Sequence, residues 1–300
     1  MTIRKVFITG INGYIGGTIA QLLLKQGYEV SGLVRNPAHV APLAAAGIRT
    51  ITGTIDNAPS LRAAAQEADA VIHTANVNDP YSIDTLIDAL KGTNKTLIHT
   101  SGSSILGKKE YGALSDVIYS EEDAVIPTLE RVHWTGLNDH VLHAATLGIR
   151  SIVIIPTMVY GIGTGIHRES IQLPMLWKAV KEKGRAIYVE AGASTWSNVH
   201  IADLAQLYLL ALEKAPAGSV FYAENGSASF KEIAVAMSEK PGIGAAVSIS
   251  IDEAVALFGA DMAHYGLASN SRVSADKARR ELGWEPAING IFDHIKHEIQ

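Results

Sequence analysis

The sequence predicts an α/β protein built on a doubly wound parallel sheet, with any second lobe interwoven with the first. Three observations carry this. Through the first half, short and nearly continuous apolar runs alternate with alanine- and leucine-rich stretches of helical length. A glycine-punctuated turn follows the first of those runs. After Pro156 the alternation loosens, yet no Pro-, Gly- or Ser-rich linker separates a second unit from the first.

In chain order, the strand candidates are 5–9, 29–34, 49–52, 70–74, 96–101 and 150–155. Their lack of apolar–polar alternation fits strands covered on both faces. Between them lie "YIGGTIAQLLLKQG", with Gly27 as its stop, then "HVAPLAAAG", "SLRAAAQEA", "SIDTLIDALKG" and "VHWTGLNDHVLHAATLG". Repeated β-α-β units of this kind imply a parallel sheet with helices on both faces. Further on, "YGIGTGIHRES" reads as a loop and "IQLPMLWKAVKEKG" as a helix. "RAIYVEAGASTWSNVH" reads as a short strand and loop, "ADLAQLYLLALEKA" as a helix and "SVFYAE" as a strand.

Bulk composition narrows the function classes. The 300 residues are 47% hydrophobic and 18% charged, which excludes general disorder. A formal charge of −5 argues against a nucleic-acid partner. Absence of cysteine removes disulfides, thiolate metal sites and a cysteine nucleophile. The four-residue apolar run before Gly10 and the run "IVIIP" are too short for a signal core or a membrane span. The expectation is a soluble, cytoplasmic protein with a small-molecule partner and no membrane partner.

"TGINGYIG" places Gly10, Gly13 and Gly16 between the first strand and the first helix. The first glycine permits a tight turn, the second lets a pyrophosphate approach the backbone, and the third lets helix and strand pack closely. The helix N-terminus adds free N–H groups and partial positive charge. Strand, triplet, helix and second strand fall in the order a dinucleotide site requires, and Asn12, Tyr14 and Ile15 belong to the same turn. The second strand ends "SGLVRNP", with Arg35 where an NAD site has a carboxylate for the ribose hydroxyl. A guanidinium suits a 2′-phosphate, so the expected cofactor is NADP(H).

The whole chain resembles the extended short-chain dehydrogenase/reductases of the NAD-dependent epimerase/dehydratase type. Besides the glycine turn, "GTIDN", "VIHTAN", "IIPTMVYGIG", "NVHIADLAQLYLLALE" and "SADKARRELGWEP" carry the resemblance. It implies a Rossmann-fold core over 1–160 and 197–215, with a substrate-binding lobe over 161–196 and 216–300. It also implies that Asp56 lies near the adenine, that His73, Thr74 and Ala75 border the cofactor with Thr100 and Pro156, and that the protein is a homodimer through core helices.

The family's catalytic machinery is a Tyr-x-x-x-Lys pair and a serine or threonine after the fifth strand. No tyrosine of this chain is followed four residues later by lysine. The resemblance places the missing tyrosine near Glu130 or Arg131 and the missing lysine near Trp134 or Thr135. In "HTSGSSILG", Gly102 stands at the usual serine position, flanked by Ser101 and by Ser103 and Ser104. The catalytic candidates are therefore Ser101, Ser103 and His133, whose imidazole transfers protons near neutral pH without a lysine. Lys108, Lys109 and Tyr111 fall at the pocket mouth. His140 and His143 lack a convincing metal-ligand pattern, so no metal is expected. The first functional reading is an NADP-dependent oxidoreductase of a small carbonyl, imine or enone. Its alternatives are a non-catalytic NADP(H) sensor and an epimerase or lyase that uses bound dinucleotide.

Overall fold

The computed structural model describes residues 3–76, 78–288 and 290–299. Its strands are β1 (Lys5–Thr9), β2 (Glu29–Val34), β3 (Arg49–Thr52), β4 (Ala70–His73), β5 (Thr96–Thr100), β6 (Arg150–Pro156), β7 (Met158–Tyr160), β8 (Arg185–Val189), β9 (Thr195–His200), β10 (Ser219–Ala223), β11 (Ser227–Ser229) and β12 (Gly244–Ile249). Its α-helices are α1 (Tyr14–Lys25), α2 (Val40–Ala45), α3 (Ala58–Glu67), α4 (Pro80–Leu90), α5 (Val132–His143), α6 (Gln172–Lys183), α7 (Ile201–Lys214), α8 (Phe230–Ser238), α9 (Ile251–Phe258), α10 (Asp276–Leu282) and α11 (Ile291–His297).

Seven parallel strands form the central sheet in the order β10-β6-β5-β4-β1-β2-β3. Successive strand residues serve opposite cores. Val6, Ile8, Ile152 and Ile154 pack toward α1 and α7, whereas Phe7, Val71, Val153 and Ile155 pack toward α3, α4 and α5. Burial on both faces explains why the strands read as continuous apolar runs. Asn57 and Asp79 cap α3 and α4, each with a proline in the first helical turn.

The smaller lobe holds two short sheets, β11-β9-β7 and β12-β8. With α6, α8, α9 and α11 they enclose a separate apolar core containing Leu173, Trp177, Trp196 and Phe230.

The boundary expected at residue 216 needs correction. Strand β10 pairs with β6 at the edge of the central sheet. The neighbours Phe221 and Tyr222 enter opposite cores, so this strand can satisfy both side chains only inside a covered sheet. Helix α10 and Trp284 also pack into the α1–α7 layer. Among the described residues, no helix is long and apolar enough to cross a membrane.

Asp203 fastens this returning tail. The Trp284 indole N–H donates to the Asp203 carbonyl at 2.9 Å. The Ala287 and Ile288 N–H groups donate to the two carboxylate oxygens at 3.1 and 2.9 Å. Removing a buried acceptor of two N–H groups costs their desolvation as well as the bonds. Asp203→Ala should therefore lower the unfolding free energy by about 2–4 kcal/mol in urea titration, and Asp203→Asn should lose less.

Candidate active site

The glycine turn is built as a cradle. Gly10 has φ +70°, and a Cβ there would lie 2.9 Å from the backbone of Thr74 and Ala75. A Cβ on Gly16 would come within 2.5 Å of the Gly10 carbonyl oxygen and Thr74 Oγ1. The first turn of α1 therefore sits directly on β1 and the end of β4, with no room for side chains between. Gly13 is the N-cap of α1 and supplies no side-chain cap, so the first-turn N–H groups are left for a ligand. Bare donors, a helix N-terminus and absent Cβ atoms fit a dinucleotide pyrophosphate.

Neighbouring loops hold the turn in place. Asn12 Nδ2 lies 3.1 Å from His39 Nδ1, and the Asn12 carbonyl accepts the His167 N–H. Tyr14 donates its hydroxyl to the Gly161 carbonyl at 2.8 Å, and Thr164 N–H donates to Thr18 Oγ1 at 3.2 Å. Ile15, half-buried, packs against the α1–α7 core. Arg35 is exposed at the end of β2 and makes no hydrogen bond or ion pair among the described residues. Asp56 is exposed in the turn before α3.

The end of β4 is more structural than the sequence implied. Thr9 Oγ1 accepts the N–H groups of Thr74 and Ala75, each at 3.2 Å. Its own proton is thus available to His73 Nδ1 at 2.8 Å, which leaves the His73 proton on Nε2. His73 is fully buried and stacked on His99, with ring centres 5.6 Å apart. Burial pushes His73 down to about 4; burial, then the neighbouring His73, pushes His99 down to about 3. Thr100 turns its hydroxyl toward Tyr208 Oη, 2.7 Å away under α7, so only its backbone is left to border a ligand. Pro156 is buried at the end of β6.

The three catalytic candidates are not drawn into one hydrogen-bonded group. Ser101 is partly exposed at the strand end, and its hydroxyl has no hydrogen-bond partner among the described residues. Ser103 is buried and engaged by Ser271, Oγ to Oγ at 2.8 Å. His133 is exposed on the first turn of α5, its ring edge-on to Trp134 with no hydrogen bond to either serine. His140 pairs with Asp84 of α4 at 2.7 Å rather than with His143. Among the described residues, no three His, Cys, Asp or Glu side chains gather as a metal-holding group.

Sequence reasoning missed what surrounds Glu130 and Arg131. Arg131 is 2% exposed and paired with Asp261 at 2.7 Å. Its guanidinium lies 4.4 Å from the Trp134 ring and 4.3 Å from the Tyr265 ring. Glu130 pairs with Lys109 at 3.3 Å. Asp261 and Tyr265 come from the lobe, more than a hundred residues later, so no local spacing announces them.

The stacked histidines give the fold a pH dependence. Each folded-state value is depressed, so the stabilisation is full above the unfolded value of 6.5 and is lost as pH falls through about 4. Near pH 5 the loss should be about 2 kcal/mol per histidine. Urea denaturation of His99→Phe should show about half the wild-type loss between neutral pH and pH ~5.

A profile of the NAD dependent epimerase/dehydratase family matches residues 6–222. An uncharacterized protein of Schizosaccharomyces pombe is 33% identical, covering 97% of this chain and 98% of its own. A 4-hydroxy-2-methyl-3-oxo-4-farnesyl-3,4-dihydroquinoline-1-oxide ketoreductase of Stigmatella aurantiaca is 24% identical, with coverage of 93% and 91%. The crystal structure of UDP-glucuronic acid 4-epimerase from Bacillus cereus, in complex with UDP-glucuronic acid and NAD, superposes with a TM-score of 0.74. It is 22% identical and covers 97% of this chain and 99% of that one. With its parallel seven-stranded sheet, its glycine cradle and this match over most of its length, the chain belongs to the NAD-dependent epimerase/dehydratase family.

Proposed function

We propose that the protein is an NADP(H)-dependent oxidoreductase of a small carbonyl, imine or enone substrate. The observation that carries the cofactor choice is Arg35, an exposed guanidinium just after β2 with no partner among the described residues. A ribose 2′-phosphate offers it paired, charge-assisted hydrogen bonds. The backbone of Gly10, Asn12, Gly13, Tyr14, Ile15 and Gly16 would hold the pyrophosphate. Asp56 would meet the adenine, and the segments at 73–75, 100 and 156 would border the remainder. Bound NADPH supplies hydride transfer; the protein must orient the substrate and polarise its acceptor atom. Ser101, at the end of β5 with a hydroxyl unpartnered among the described residues, is the better placed of the two serines to do so. The oxidoreductase reading is in keeping with the ketoreductase relative from Stigmatella aurantiaca.

A second reading is a non-catalytic NADP(H) sensor. It is favoured by buried Arg131, paired with the exposed Asp261, in the region to which the resemblance assigns the family's catalytic tyrosine. The lobe over 161–196, with the non-core part of 216–300, would then bind a regulatory ligand rather than a substrate.

Nicotinamide fluorescence titrations with NADPH, NADP+ and NADH test the reading, followed by a panel of carbonyls, imines and enones. NADPH should bind more tightly than NADH, and Arg35→Ala should weaken NADPH about 10- to 100-fold while leaving NADH unchanged. Tighter NADH binding would overturn the role of Arg35. Unequal affinity for NADP+ and NADPH without turnover would favour the sensor. Substrate conversion without net nicotinamide oxidation would identify an epimerase or lyase.

A further inference from the structure

Three segments distant in sequence meet where the Tyr-x-x-x-Lys pair is absent. Lys109 comes from the loop after β5, Glu130 and Arg131 from the entry to α5, and Tyr265 from the lobe. Lys109 Nζ lies 3.3 Å from Glu130 and 5.8 Å from the centre of the Tyr265 ring. The Tyr265 hydroxyl lies beside the Glu130 carboxylate and the Lys109 ammonium. A phenol with a lysine near its oxygen is the pair of groups that α5 lacks, assembled here from two other elements.

The backbone around Tyr265 is unusual. Residues Met262–Leu267 form a π-helix, a conformation found mostly as single turns and often at functional sites. The segment is pinned to the serine end of β5. A Cβ on Gly107 would lie 3.2 Å from the Tyr265 carbonyl oxygen, and Ser269 Oγ donates to that oxygen at 2.6 Å. Two residues on, Ser271 engages Ser103. The Tyr265 ring is buried on Arg131, whereas Lys109 and Glu130 are 46% and 47% exposed. Lys109 and Glu130 are therefore the solvent-facing members of the cluster.

Resting on the reading that the chain is an NADPH-dependent reductase, we infer that Tyr265 is the proton donor, with Lys109 and Glu130 as its relay and Arg131 as a positioning residue. In the reducing direction the substrate gains two electrons and a hydrogen from the reduced nicotinamide. The Tyr265 O–H bond breaks as a new O–H or N–H bond forms on the substrate heteroatom; with an enone, the enolate oxygen takes the proton. The Lys109 ammonium reprotonates the phenolate and recovers its proton from water. Burial and then Glu130 raise Tyr265 above the ordinary phenol value, so the donor is protonated at neutral pH, as this direction requires. The Arg131 cation against the ring face offsets charge that develops on the phenolate.

Tyr265→Phe keeps the ring on Arg131 and removes only the hydroxyl. Protein labelled with carbon-13 at the tyrosine ring carbon bearing oxygen gives a readout independent of turnover. The Tyr265 signal, assigned by its absence in the variant, should differ between NADP+ and NADPH complexes, since only the former places a cationic ring nearby. Turnover of Tyr265→Phe should fall at least 100-fold, with NADPH affinity changed less than about threefold. Glu130→Gln, at a half-exposed position, should move the same signal and shift the pH–rate profile, whether or not Tyr265→Phe folds. A signal indifferent to the cofactor's redox state, or wild-type turnover by Tyr265→Phe, would overturn the proposal alone. Failure of every dinucleotide to bind, read by fluorescence, would overturn the reductase reading and this proposal with it.

Discussion

The constraint on which the rest of this structure depends is the contact of α1 with β1 and β4. At Gly10 and Gly16 the backbones are so close that a single Cβ would collide with a carbonyl, an amide or Thr74 Oγ1. Only this closeness brings the uncapped N-terminus of α1 over the carboxyl end of the sheet. It also places the Thr9 hydroxyl within reach of the 74–75 amides, so the strand end and the turn are tied to each other. The same economy of space recurs on the outer side of α1. There a Cβ on Gly165 would lie 2.7 Å from Gly17 Cα, and Tyr14 bonds the Gly161 carbonyl. Helix α1 is thereby held between the sheet and the loop that leads into the lobe.

Core and lobe are joined less by a hinge than by a returning chain. From Tyr265 to Ile288 the polypeptide touches each part in turn. Ser269 accepts the Trp196 indole N–H through its carbonyl, Asn270 bonds Glu110, and Ser271 bonds Ser103. Trp284 and the amides after it then reach Asp203 on α7. Most of these are buried or half-buried polar contacts with defined partners, so they specify one register of lobe on core. Asp261 and Tyr265, which the lobe brings to Arg131, inherit their positions from that register.

Buried polar chemistry separates the roles within the site. His73 and His99 are held neutral by burial and serve the interior of the sheet. Arg131 has Asp261 and two aromatic faces in place of water. Lys109 and Glu130 keep contact with solvent and with Tyr265. Neutral groups thus lie under the dinucleotide turn, and the charged groups gather at the entry to α5.

The sequence by itself determined the central sheet, since a strand buried on both faces must be apolar throughout, and the glycine spacing that makes the turn is local. It marked Arg35 for the same reason, as the residue that follows the second strand. It misplaced β10, because "SVFYAE" reads equally well as a lobe strand until β6 is seen beside it. It offered Ser103, Thr100 and His133 by alignment alone. Their hydroxyl partners and exposure depend on Ser271, Tyr208 and the orientation of α5, none of which is a neighbour in sequence. Only the tertiary structure brought Tyr265 and Asp261 to Glu130 and Arg131. Periodicity and short motifs encode contacts along the chain, whereas that cluster depends on how the C-terminal segment docks across the core.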